Sequence, residues 1–131
     1  QCSTDGGSNY NLTTQSMRWR TYHNESGSDN QSPENGSGAQ SADTNFQILT
    51  ESAGVEAQDQ SSGDIHLFGL ANTTYDKTFM ARSVECRTSD YVMKSYIDGY
   101  FKTASAIDAI QFKFDSGEIQ GGTISLYGVT K

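Results

Sequence analysis

Apolar and polar residues alternate along much of this chain with the period of two that marks a strand with one buried and one wet face. The clearest stretch is Ala109–Val129. Ile110, Phe112 and Phe114 alternate with Gln111, Lys113 and Asp115, Ser116-Gly117-Glu118 reads as a turn, and Ile124, Leu126 and Gly128 then alternate with Thr123, Ser125 and Tyr127. This pattern predicts a hairpin, and a hairpin this apolar needs a covering sheet from the rest of the chain. Further strands are expected within Tyr10–His23, at Phe46–Thr50, Asp64–Leu70, Lys77–Arg87 and Tyr91–Phe101. In the last of these Asp98-Gly99 has the form of a two-residue turn or a bulge. Thr103–Ala109 is expected to connect, with at most one helical turn.

Between the strands lie polar stretches. Ser3–Asn9 is a glycine-rich turn, and Asn24–Thr44, with the single proline Pro33, has the composition of a solvated loop, as does Glu51–Gly63. Unstructured loops near 20 residues are uncommon in compact domains and often carry contacts. Seven or eight short strands, no long helix and no fixed repeat point to an all-β fold. An antiparallel two-sheet sandwich or jelly roll over residues 1–131 is expected. The chain opens Gln1-Cys2-Ser3 without an initiator Met and runs straight into a turn, so we expect an N-terminally incomplete fragment or processed product, with at least one strand upstream.

Composition narrows the function. Apolar residues make up 34% of 131, enough for one small core. The net charge of −7 argues against a partner whose phosphates must be tracked by clustered Lys and Arg, and no apolar run reaches the roughly 18 residues of a spanning helix. Cys2 and Cys86 are too far apart in sequence for a metal motif and leave two readings open, one disulfide or two thiols. His23 and His66 sit in no nucleophile or zinc pattern. Asp5, Asp29, Asp59 and Asp64 offer loop oxygens without a calcium-loop repeat to organise them. We therefore expect no catalysis and no cofactor. Five N-x-S/T triplets, at Asn11, Asn24, Asn30, Asn35 and Asn72, match a glycan acceptor pattern that a chain this rich in Ser and Thr also produces by chance.

One stretch offers a recognition surface. Met17, Trp19 and Thr21 share one face of a strand and Arg18, Arg20 and Tyr22 the other. Either Trp19 lies in the core with the arginines at the rim, or Trp19, Tyr22, Arg18 and Arg20 form an exposed platform for a sugar or a partner protein.

The run Ile107-Asp108-Ala109-Ile110-Gln111-Phe112-Lys113-Phe114-Asp115-Ser116-Gly117, followed by Gly121-Gly122-Thr123-Ile124-Ser125-Leu126-Tyr127-Gly128-Val129, resembles a signature that ends many virion proteins of tailed bacteriophages. Thr4-Asp5-Gly6-Gly7-Ser8-Asn9-Tyr10 is similar to an early turn of the same proteins, and Asp64-Ile65-His66-Leu67-Phe68 sits where they have a central strand. The long Asn24–Thr44 insertion departs from the pattern. The resemblance implies a jelly roll on the surface of a phage particle, with Ile110, Phe112, Phe114, Leu126 and Gly128 in structural roles. The expected function is a tail-fibre or host-attachment module that contacts other virion proteins, as a homo-oligomer or with a host glycan or receptor. A head decoration or cement protein and a secreted carbohydrate-binding module are the alternatives.

Overall fold

A computed structural model describes residues 1–35, 37–51, 59–87 and 90–129, with the side chains of Ser32, Glu34 and Asn35 excepted. Among the described residues there is no helix. The described residues form eight strands in two antiparallel sheets: β1 (Cys2–Ser3), β2 (Thr14–Asn24), β3 (Asn30–Asn35), β4 (Ser41–Asp43), β5 (Ser61–Leu67), β6 (Lys77–Arg87), β7 (Tyr91–Phe101) and β8 (Ala109–Ile110). The large sheet runs β3-β2-β7-β6-β5, with β4 also pairing with β2, and β1 and β8 form a small sheet of their own.

β6 and β7 fall where the alternation places them, and their Cα partners run from Lys77↔Phe101 to Arg87↔Tyr91. Asp90, at φ 58°, bends the chain just before β7. β7 passes straight through Asp98-Gly99 without turning: Met17 pairs with Asp98 and Ser16 with Gly99. Here glycine is needed for space. A Cβ on Gly99 would lie 2.8 Å from the Ser16 Cβ and 2.9 Å from the Phe79 Cζ, and closer still to the Gln15 carbonyl oxygen.

Three other expectations change. Asn24–Thr44 contains β3 and β4, both laid along the edge of β2, and Pro33 sits in β3, an edge position that spares the ladder a missing N–H. Phe46–Thr50 is irregular, and its backbone runs across the inner face of the sheet, where Ser83 Oγ donates to the Leu49 carbonyl at 2.6 Å. Of Glu51–Gly63, residues 52–58 lie outside the described residues, and β5 begins at Ser61.

The largest correction concerns Ala109–Val129. Only Ala109 and Ile110 are strand, paired with Ser3 and Cys2. Gly117 does bend the chain, at φ 77°, but no hairpin flanks it among the described residues. Phe112 is half-buried and Phe114 exposed, while Leu126 is 85% and Val129 95% exposed and Gly128 has open space around it. The alternation is real, but within this chain it finds no strand to pair with among the described residues, and isolated strand pairs are marginal in water.

The core sits between one end of the large sheet's inner face and the small sheet. Cys2, Phe79, Ala81, Ile97 and Phe101 are buried together, with Leu12, Leu49, Ile65, Leu67, Ile107 and Ile110 packed around them. Phe79 and Phe101 meet at a centroid distance of 5.0 Å.

Candidate functional site

The two faces of the large sheet have opposite characters, and strand register decides which faces inward. Arg18 of β2 is the partner of Ile97, and Ile97 of Ala81. Because β7 and β6 bury Ile97, Phe101, Phe79 and Ala81, the arginine face of β2 is carried inward with them. Trp19 is therefore outside, and the core reading of that residue is overturned.

The inner face tolerates Arg18 because acceptors meet it. Nη1 donates to the Ser37 carbonyl at 2.5 Å and Nη2 to Ser95 Oγ at 2.8 Å, and the Glu51 carboxylate lies 3.7 Å away. Burial lowers the guanidinium pKa, and the charges of Glu51 and Glu85 oppose that shift. Glu51 also accepts from Arg20 and from Ser37 Oγ, while its own backbone N–H donates to Glu85. Burial alone would raise the Glu51 pKa; the hydrogen bonds from Ser37 and Arg20 and the two positive charges outweigh it and hold the carboxyl below its ordinary value. Tyr22 lies 5.9 Å from Tyr91 in an edge-to-face pair at the end of this network. Arg18, Arg20 and Tyr22 thus serve the interior, and only Trp19 of the four candidate platform residues faces outward.

The outer face supplies other partners for Trp19. Pairing places Asp64, Arg82, Tyr96 and Trp19 in one row across four strands, with His66, Met80, Asp98 and Met17 in the adjacent row. Trp19 and Tyr96 are each 44% exposed. Met17, Met80, Val84 and Tyr100 are exposed beside them. Directly opposed residues on one face sit about 5 Å apart at Cβ, so Trp19 and Tyr96 are cross-strand neighbours. Charged groups border them. Lys94 Nζ lies 5.1 Å from the Tyr96 ring centroid, and Arg82 Nε donates to Asp64 Oδ1 at 2.5 Å. Asp64 Oδ2 lies 3.0 Å from His66 Nε2. The Arg82 hydrogen bond pulls the Asp64 carboxyl below its ordinary pKa and raises that of Arg82 in return. Exposed aromatic and apolar side chains interspersed with hydrogen-bonding groups on one sheet face are suited to stacking a planar or sugar-like face. Tyr96, Met80 and Tyr100 escaped the sequence reading because alternation shows which residues share a face, and only pairing register shows which faces join.

The remaining candidates lie apart from this surface or from one another. Cys2 is buried, Cys86 is exposed, and both are free thiols, so the disulfide does not form here. Burial pushes the Cys2 thiol up to about 11. His23 is exposed with Nδ1 3.1 Å from the Asn24 carbonyl. Asp5 accepts from Ser3 Oγ and Asn9, bonds that draw its pKa down to about 2. Asp29 is engaged by the Tyr91 hydroxyl at 2.6 Å. Among the described residues no three His, Cys, Asp or Glu side chains gather as metal ligands would. Of the glycan-type triplets, Asn11, Asn30 and Asn72 are exposed, Asn24 is half-buried, and the Asn35 side chain lies outside the described residues. No family model, curated protein or solved structure matches the chain.

Proposed function

We propose that this chain is a non-catalytic structural protein on the surface of a tailed-bacteriophage particle, and that it works there as a tail-fibre or host-attachment module. The observation that carries the recognition part is the adjacent Trp19 and Tyr96 pair, laid open at the middle of the outer face. Such rings stack on the apolar face of a saccharide while Arg82, Asp64, Asp98 and Lys94 hydrogen-bond its hydroxyls. The particle assignment rests on the resemblance of Ile107–Val129 to phage virion proteins, and a jelly-roll ancestry for the two sheets rests on the same resemblance. Asp64 pairs with both His66 and Arg82, and Glu51 with Arg20, arrangements suited to structural roles.

The test is binding of the full chain to a panel of bacterial surface polysaccharides, followed by fluorescence of Trp19, its single tryptophan. One or more should bind, and Trp19→Ala and Tyr96→Ala should each weaken binding by about tenfold or more, ~1.4 kcal/mol. Thermal unfolding should stay nearly unchanged, because both rings are half-exposed. Absence of binding across the panel, or binding indifferent to both substitutions, would refute recognition by this face. A head decoration or cement role is the second reading, favoured by the bared apolar stretch after Gly117. Antibody labelling of particles separates the two, since label on capsomers would exclude attachment.

A further inference from the structure

Among the described residues the second layer is much the smaller of the two. β6 and β7 are 11 residues each, whereas β1 and β8, which face them, have two residues each. Beside the small sheet lies a cleft of about 640 Å³. Ile65, Leu67, Phe79 and Phe101 of the large sheet line it, together with the Asn45–Glu51 and Ile110–Asp115 stretches. Its lining is mostly apolar, and Ile65 and Leu67 remain only partly buried.

The same chain carries a segment with the properties such a cleft requires. Ile119–Val129 (IQGGTISLYGV) contains no charged residue in a chain of net charge −7, so it can approach a second copy without local repulsion. Its period-two pattern is that of a strand, and among the described residues it pairs with none. Ile119 and Ile124 already reach the cleft lining, but Leu126, Tyr127 and Val129 project into solvent. Extended, 11 residues span about 36 Å, comparable to β6 and β7. Among the described residues β8 pairs with β1 alone.

We propose that Ile119–Val129 of one copy docks as a strand in this cleft of a second copy, completing the second layer of its neighbour and joining the chains. Ile124 and Leu126 enter the cleft, and Thr123, Ser125 and Tyr127 face away from it. The contact exchanges an identical element between copies, so the surfaces that meet already exist in each chain.

Sedimentation equilibrium of the full chain over a wide concentration range tests this. The expected result is a species of two or more 14.3 kDa chains, reduced to one by the double substitution Ile124→Asp and Leu126→Asp. Both side chains are exposed in the single chain, so the variant should keep the wild-type circular dichroism, and a peptide of residues 119–129 added to it should bind. A single-chain mass at all concentrations would overturn the proposal, whether or not amides 123–129 resist hydrogen exchange; resistance would place the segment in its own cleft. An oligomer that survives the double substitution, or a peptide that does not bind the variant, would overturn it as well.

Discussion

Substituting Gly99 with alanine probes the strand register that sets the whole face assignment. In the structure Gly99 lies on a continuous β7, opposite Ser16 on one side and Phe79 on the other. The added methyl meets Ser16 Cβ at 2.8 Å and Phe79 Cζ at 2.9 Å, and the Gln15 carbonyl oxygen is nearer than either. A carbonyl within a ladder cannot step aside as a flexible side chain would, so two strands must separate locally. Overpacking of this kind costs about 1–3 kcal/mol, while the loss of glycine freedom in the unfolded chain returns about 0.4–1 kcal/mol. The net expectation is a destabilisation of about 1–2 kcal/mol, or a fall in Tm of roughly 4–8 °C for a domain of this size. Urea or thermal unfolding measures it, with Gly121→Ala as the control, because a Cβ there meets nothing within 4 Å. The alternative, an Asp98-Gly99 turn, makes a different forecast. A turn glycine has positive φ, which Asn tolerates better than Ala. A neutral Gly99→Ala, or a Gly99→Asn less damaging than Gly99→Ala, would therefore refute the continuous strand and the register built on it.

Two further outcomes follow from the inner face. Arg18→Ala leaves Glu51 with less compensation and Ser95 without its donor, and should destabilise by about 3 kcal/mol in urea unfolding. The Glu51 carboxyl is held below its unfolded pKa, so its contribution is complete above the unfolded value and is lost as pH falls through the folded one; Glu51→Gln should flatten the acid limb of a stability–pH curve in that window. In the native protein a thiol reagent should modify Cys86 and spare Cys2, with the second equivalent reacting only after denaturation. Two equivalents at once, or none, would contradict the placement of the cysteines.

The long strands were legible because period-two alternation over 11 residues has few competitors. Lys77–Arg87 and Tyr91–Phe101 emerge with the bounds their sequences suggest. β3 and β4 were not, since Asn30–Asn35 and Ser41–Asp43 carry almost no apolar residue, and their strand conformation comes from the open edge of β2. One strand alone does not decide which way Trp19 faces. Trp19 and Arg18 each suit either face of an isolated strand, and the choice was made by Ile97 and Phe101 on the neighbour. Ala109–Val129 shows the opposite failure. Its alternation is strong, but pairing needs a partner that local sequence cannot provide. The candidate site was half legible: Trp19 could be singled out, whereas Tyr96, Met80 and Arg82 joined it only through register.

Which side of the large sheet meets water decides where the recognition surface lies, and Trp19 reports on that alone because it is the single indole in the chain. Acrylamide quenching of the native protein at low concentration, compared with the urea-unfolded chain, reads it directly. The structure predicts a red-shifted emission and substantial quenching in the native state, both reduced when a bound polysaccharide covers the outer face. A blue-shifted indole that quencher barely reaches, with no ligand present, would put Trp19 in the core and Arg18 outside, contradicting both the fold's face assignment and the recognition surface drawn from it.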